Sequence, residues 1–289
     1  MGRERWLLTG ATGRLGGALR RHWQLAGISP EISCIGTRRA GPERWLGAVD
    51  LTDPEMLRTL LARVRPTRIF HCAGIARPVA AQEAPLVAAR LHVAATRIMA
   101  DAMRATGGWL LHCSTDFVFD GEAAGPRTED DEALPRSYYG FTKLAGEHAL
   151  LAREAGLAVR LSALFDTDPG AANGSGWDMM LARLYADEPV HGIVDEWRTP
   201  VHTIDAAAWL TRLALDDRHG LLHVGGAEVL SPFTLLERVA REIGSRSPIL
   251  PITRADLCAA VERPRNVALD TARLRRWLGH EAVPMNLAA

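Results

Sequence analysis

Tyr139 and Lys143, in the stretch "YYGFTK", stand four residues apart. On a helix this spacing puts both side chains on one face. An ammonium beside a phenol lowers the phenol's pKa and makes it a proton donor or acceptor nearer neutrality. The pattern alone is weak, but Lys143 is the only lysine among 34 lysines and arginines. A lysine is a compact point charge and guanidinium a broad planar fork. The place where such a chain keeps its one amine is a candidate for chemistry that arginine cannot supply; the alternative is chance survival of one lysine on a solvated face. A second cluster lies in "STDFVFDG", from Ser114 to Gly121, directly after the apolar run "WLLHC". It sets two hydroxyls, Ser114 and Thr115, at the end of a buried strand, where a hydroxyl can hold a substrate carbonyl. Asp116 and Asp120 read as turn-capping acids, which satisfy nearby backbone amides.

These side chains need elements to carry them. "RWLLTG", "EISCIGT", "RIFHCAG", "WLLHCST" and "AVRLSALF" read as strands. The segments between them have helical periods: "RLGGALRRHWQLAG", closed by Gly27; "DPEMLRTLLARVRP", opened by Asp53 with Pro54 in its first position; one long helix through "LVAARLHVAATRIMADAMRATG"; and "YYGFTKLAGEHALLAREAG". Strands and helices alternating in this way predict an α/β fold, a Rossmann-type doubly wound parallel sheet with helices on both faces. The turn-rich stretch "DTDPGAANGSGW" breaks the rhythm. Residues 1–165 are expected to form the dinucleotide-binding domain. Residues 166–289 are expected to form mainly a smaller, partly interleaved substrate lobe, with segments near 200–226 returning to the first domain.

The turn after the first strand, "LLTGATGRLGGAL", spaces Gly10, Gly13 and Gly16 as G-x-x-G-x-x-G. Between a strand and a helix, such glycines allow a tight turn and close approach of a pyrophosphate to the helix N-terminus. Thr12, Arg14 and Leu15 share this turn, and Ala73 and Gly74 follow the third strand into the same cleft. An NAD site usually presents an acid at the end of the second strand for the ribose 2′-OH. Here that strand ends "IGTRRAG", with Arg38 and Arg39 in place of an acid. The pair favours a 2′-phosphate, with Arg14 assisting, so NADP(H) is the expected cofactor and NAD(H) the alternative. Asp50 and Leu51 are positioned to flank the adenine.

At 289 residues, with 47% apolar and 24% charged residues, the chain has the balance of an ordinary globular protein with ample core. Zero net charge leaves no electrostatic footprint for nucleic acid or anionic membrane. Four cysteines, Cys34, Cys72, Cys113 and Cys258, lack metal-ligand spacing. They read as buried, inert thiols, and no metal is expected. With neither a leader-like N-terminus nor a membrane-length apolar run, a cytoplasmic protein is expected.

Taken together, "TGATGRLG", "STDFVFDG", "YGFTKLAGE", "DEWRTPVHTIDAA" and "RPRNVALDTARL" resemble the extended short-chain dehydrogenase/reductase family over nearly the whole chain. More narrowly they are similar to its dTDP-4-dehydrorhamnose reductase branch, which the regulatory beta subunit of methionine adenosyltransferase shares. The resemblance implies a catalytic triad of Thr115, Tyr139 and Lys143. Thr115 would bond the carbonyl, Tyr139 would protonate the developing alkoxide, and Lys143 would hold the nicotinamide ribose and tune Tyr139. Related dehydratases carry an Asp-Glu pair after the threonine. Here Phe117 follows Asp116, which argues for reduction over elimination. His92 stands where the wider superfamily usually has asparagine, and reads either as a hydrogen-bonding substitute or as a core histidine. Ser114, Trp177, Arg198 and Arg263 are the candidate substrate contacts, for a nucleotide sugar. The implied activity is NADPH-dependent reduction of a nucleotide-linked keto-deoxysugar. The alternatives are reduction of another ketone or aldehyde, or a non-catalytic NADP-binding regulatory subunit. A homodimer is compatible with either.

Overall fold

The computed structural model describes residues 4–36, 44–47, 49–169, 176–257 and 261–279. Arg38, Arg39 and Cys258 lie outside these residues. The strands expected in the first half form as β1 (Arg5–Thr9), β2 (Glu31–Ile35), β4 (Arg68–His71), β5 (Trp109–Thr115) and β6 (Gly156–Leu161). A two-residue strand that no periodicity announces, β3 (Arg44–Trp45), is added beside β2. The sheet closes with β10 (Gly220–Val224) in the order β10-β6-β5-β4-β1-β2-β3, all pairs parallel. Strand order reverses between β1 and β4, and the crevice outside the C-terminal strand ends at such a switch point is where ligands bind in this architecture.

Helices cover both faces. On one, α1 (Arg14–Leu25) and α8 (Thr203–Leu215) bury Leu19, Trp23 and Leu210 against a core that includes Trp6, Phe70 and Trp109. The rings of Trp6, Trp23 and Phe70 lie 4.9–5.3 Å apart centre to centre, in edge or tilted contact. Two of the buried indole N–H groups find partners: Trp23 donates to Thr211 Oγ1 and Trp109 to Arg218 O, each at 2.8 Å. On the other face, α2 (Pro54–Val64) and α5 (Ala95–Thr106) cover Leu7, Ile69 and Leu110. Asp53 caps α2 as its sequence predicts, accepting from Glu55 N and Met56 N.

The long helix expected over residues 86–107 forms with a π-helical turn inside it, and a further short helix precedes it. Two short helices, α3 (Pro78–Glu83) and α4 (Pro85–Ala89), begin at prolines. A π-helical turn, Arg90–Ala94, then joins α4 to α5. At that turn the carbonyl of His92 faces α6 (Tyr138–Leu151) so closely that a Cβ on Gly146 would lie 2.4 Å from it. "AVRLSALF" also splits. After Leu161 the chain leaves the large sheet, and β7 (Leu164–Phe165) pairs with β9 (Val201–His202). The split falls where Ser162 turns its hydroxyl to Asp116.

The remaining elements, α7 (Gly176–Tyr185), β8 (Val190–Ile193), α9 (Pro232–Glu242) and β11 (Ile249–Ile252), form a small unit above the strand ends. Its apolar centre contains Phe165, Leu184, Val190 and Leu236. β8 pairs with β11, a strand the sequence reading did not include. Helix α10 (Ala272–Leu278) returns its Leu274 and Leu278 to the main core. No helix among the described residues is long and apolar enough to cross a membrane.

Candidate active site

The turn after β1 is built around absent side chains. Gly10 has φ +67°, and a Cβ there would lie 2.6 Å from Ala73 N. A Cβ on Gly16 would lie 2.2 Å from Gly10 O, so α1 starts in direct contact with the turn. Gly13 precedes the helix and supplies no side-chain cap. The first amides of α1 thus face a glycine-walled cradle, which suits a pyrophosphate. This is the fit a dinucleotide requires.

Thr115 ends β5 and caps the single turn Asp116–Val118, accepting from Phe117 N at 3.2 Å. Ser137 caps α6 by accepting from Gly140 N at 3.1 Å. Gly140 lets that helix start against the turn: a Cβ there would lie 2.2 Å from Phe117 O. The glycine contact delivers Tyr139 to the side of Thr115, close enough for that hydroxyl to pull the phenol's pKa downward. Tyr139 and Lys143 share a buried face of α6, as the spacing predicts. Lys143 Nζ donates to Cys113 O at 2.9 Å and sits under Gly74, where a Cβ would lie 3.1 Å from it.

The expected lowering of the phenol's pKa does not appear in this arrangement. Burial pushes Tyr139 up to about 12, with Thr115 opposing in part. Burial also draws Lys143 below its ordinary value. His92 makes both kinds of contact that were weighed. It is fully buried, its Nε2 accepts from Ile75 N at 3.0 Å, and its Nδ1 meets Thr142 Oγ1 at 2.9 Å. With Nε2 accepting, the ring proton lies on Nδ1.

One cavity of about 1020 Å³ is lined by Gly10, Gly13, Arg14, Leu15 and Gly16 at one end and by Gly74, Ser114, Thr115, Tyr139 and Lys143 further along. Trp177, Arg198 and Arg263 line it from the small unit. Several side chains have duties that differ from those expected. Arg14 gives its guanidinium to Asp166, at 2.9 Å, and to Asp178, so it joins α1 to the small unit instead of standing ready for a phosphate. Ser114 donates to Glu147, which is itself paired with buried Arg160 at 2.9 Å. Its hydroxyl is therefore committed to that network.

Asp120 caps Glu122 N as expected, but Asp116 is no turn cap. Its fully buried carboxylate takes Arg198 as a fork at 2.5–2.8 Å and Ser162 Oγ at 3.1 Å. Arg263 is likewise paired with buried Glu196, at 2.7 and 2.9 Å. Both guanidinium groups lie over the Phe117 ring, at 4.8 and 5.8 Å.

Trp177 lines the cavity and donates its N–H to Asp166 O. Thr12 packs near Gly36, at the end of β2. Asp50 is exposed and accepts from Thr52, and Leu51 is buried in the core under α2; neither lines the cavity. Cys34 and Cys113 are buried free thiols of the core, as read, and Cys72 is a half-buried one; Cys72 and Cys113 also line the cavity. The sequence reading also missed Arg77, which lines the cavity with no acid paired to it among the described residues. Its place just after the third expected strand was the available signal.

The family model of the RmlD substrate binding domain matches residues 4–287. A methionine adenosyltransferase 2 subunit beta from Rattus norvegicus is 33% identical over 280 residues, 94% of this chain and 81% of that protein. A dTDP-4-dehydrorhamnose reductase from Streptomyces griseus is 31% identical over 292 residues, 95% of this chain and 91% of that one. Among solved structures, a dTDP-4-dehydrorhamnose reductase from Bacillus anthracis str. Ames in complex with NADP shares the fold. Its TM-score is 0.85 at 23% identity, covering 98% of this chain and 95% of that one. The glycine turn, the Thr115–Tyr139–Lys143 cluster and a family match over nearly the entire length agree, and the chain belongs to the RmlD substrate binding domain family.

Proposed function

We propose that this protein is an NADPH-dependent reductase of a nucleotide-linked keto-deoxysugar. The observation that carries the reading is the single cavity that joins a glycine-walled cradle to Thr115, Tyr139 and Lys143. The 31% identical Streptomyces griseus relative, named a dTDP-4-dehydrorhamnose reductase, supports the substrate class. The cradle of Gly10, Gly13 and Gly16 and the α1 N-terminus would hold the pyrophosphate. Ala73, Gly74 and Lys143 would border the nicotinamide half. When bound, the reduced nicotinamide supplies the hydride.

The chain's own residues do the rest. Thr115 holds the carbonyl oxygen. Tyr139, kept protonated by burial, gives its proton to that oxygen as alkoxide character develops. Lys143 places positive charge beside the phenolate that is left. Phe117 closes the site with an apolar edge against Tyr139, ring centres 6.3 Å apart, where a second carboxylate would be needed for elimination. Arg77, which has no paired acid among the described residues, would meet the substrate's diphosphate.

Purified protein should oxidise NADPH only when a dTDP-4-keto-6-deoxyhexose is added. Tight NADPH binding without turnover of any keto-sugar would overturn the reading. A second reading, a nucleotide-binding regulatory subunit, is favoured by the 33% identity to methionine adenosyltransferase 2 subunit beta. It predicts a stable complex with a methionine adenosyltransferase catalytic chain, measurable by co-sedimentation.

A further inference from the structure

Two thiols at the floor of the cavity take no part in the chemistry above. His71 and His112 are register partners in β4 and β5, so Cys72 and Cys113 emerge side by side at the next position. Their sulfurs are 3.7 Å apart. Cys72 is half-buried and Cys113 is 8% exposed, and both reach the cavity. Neighbouring strands run about 4.8 Å apart, inside the roughly 4.4–6.8 Å between Cα atoms that a disulfide bridges. The bond can therefore close without separating the strands. Cys34, by contrast, lies wholly within the core.

The pair is wired to the catalytic amine, because the carbonyl that receives Lys143 Nζ belongs to Cys113. The Cys72 thiol and the Lys143 ammonium draw the Cys113 thiol below its ordinary value, against burial. Cys72 is pushed well up by its neighbour and by burial. Cys113, whose own carbonyl holds the Lys143 ammonium close by, is taken as the attacking sulfur and Cys72 as the resolving one.

We propose that Cys72 and Cys113 are an oxidisable dithiol, a modification site for hydrogen peroxide, and that the disulfide form of the protein binds nicotinamide nucleotide poorly. The second half rests on the reductase reading; the first does not. The Cys113 thiolate attacks a peroxide oxygen. The O–O bond breaks, an S–O bond forms, and the departing hydroxide leaves as water with the proton that Cys113 gave up. The Cys72 sulfur then attacks Cys113, forming S–S and expelling hydroxide, which takes the Cys72 proton as a second water. Two thiols lose two electrons and one peroxide gains them. Shortening the sulfur separation from 3.7 Å to about 2.05 Å is taken up by turning both side chains and by small shifts of the backbone that carries them. That backbone includes the Cys113 carbonyl and, two residues beyond Cys72, the Gly74 that roofs Lys143. Closure re-aims the amine and narrows the floor.

The test treats the reduced full chain with hydrogen peroxide, then maps peptides without reductant and measures NADP+ binding by calorimetry. The expected result is a loss of about 2 Da and one crosslinked peptide joining Cys72 to Cys113. NADP+ affinity should fall at least tenfold and recover with dithiothreitol, and saturating NADP+ should slow the oxidation severalfold. In Cys72→Ser, Cys113 should gain oxygen in place of a crosslink. Oxygen adducts on both cysteines of the unaltered chain, or a crosslink to Cys34 or Cys258, would overturn the dithiol. A Cys72–Cys113 disulfide with unchanged NADP+ affinity would overturn its link to the cleft. Failure of the reduced protein to bind NADP+ would sink the reductase reading, and the nucleotide half with it, while the mapped crosslink still decides the dithiol.

Discussion

Burial, more than charge, sets the state of the proton at the reacting centre. Because Tyr139 is pushed up to about 12, the phenol is a full proton reservoir throughout the neutral range. Tyr139→Phe removes that proton but leaves the glycine cradle intact. The rate of keto-sugar reduction should drop on the order of 10² to 10⁴-fold, with NADP+ affinity by calorimetry changed no more than severalfold. In the unaltered protein, kcat for reduction should show no loss from phenol ionisation up to about pH 9; an alkaline fall near neutrality that vanishes in Tyr139→Phe would contradict this. Beside it, Asp116 depends on Arg198 for its counter-charge. Arg198→Met strands a fully buried carboxylate, a change that costs roughly 3–5 kcal/mol in other buried pairs. The urea midpoint should fall accordingly, and adding Asp116→Asn should restore much of it. Sequence made Thr115, Tyr139 and Lys143 legible because spacing along one helix and one strand end is local information. The Asp116–Arg198 pair was not legible, since its members stand 82 positions apart and meet only once the chain between them has folded.

Helix α6 and the turn after β5 act as one device. Gly140 lets the helix touch the Phe117 carbonyl, and Gly146 lets it touch the widened turn at His92. Gly140→Ala asks for a Cβ 2.2 Å from a backbone oxygen. The helix must retreat, at a cost of roughly 1–3 kcal/mol for overpacking, and Tyr139 retreats with it. The expected result is a kcat loss of at least tenfold with KM changed less. Wild-type kcat in a correctly folded variant would refute the coupling. The elements themselves were largely visible beforehand: short apolar runs for the strands, a period near 3.6 for the helices, and Asp53-Pro54 as a helix opening. The sequence reading went astray where one residue type permits either continuation. The π-helical turn is invisible to periodicity because it only dilates a continuous helix. The break after Leu161 is invisible because "AVRLSALF" stays apolar while it changes sheets.

Across the whole molecule, neutral histidines are folded in at several depths. Burial is the largest influence on each. It lowers His71 to about 4, His223 to about 3, His92 to about 2 and His112 well below its ordinary value. In the unfolded chain each titrates near 6.5. Above that pH their contribution to stability is intact. As pH falls from about 6.5 toward 4, the unfolded chain binds protons that the native state refuses, so stability declines. At pH 5 each such histidine costs roughly 2 kcal/mol. Urea midpoints should drop steeply between pH 7 and pH 5, and a flat profile would refute the assignment. The fold class and the glycine turn were readable at this scale, whereas the seating of the later segments was not, because short strands such as β11 carry little pattern of their own. One of those segments has a practical consequence. β10, contributed some sixty residues after β6, is the outermost rail of the large sheet, and α8 lies under the same core. A fragment cut near residue 165 would bare the β6 edge to other chains. Anyone wishing to transplant a new specificity onto this scaffold will have to splice around β10 and α8, several junctions where one might have sufficed.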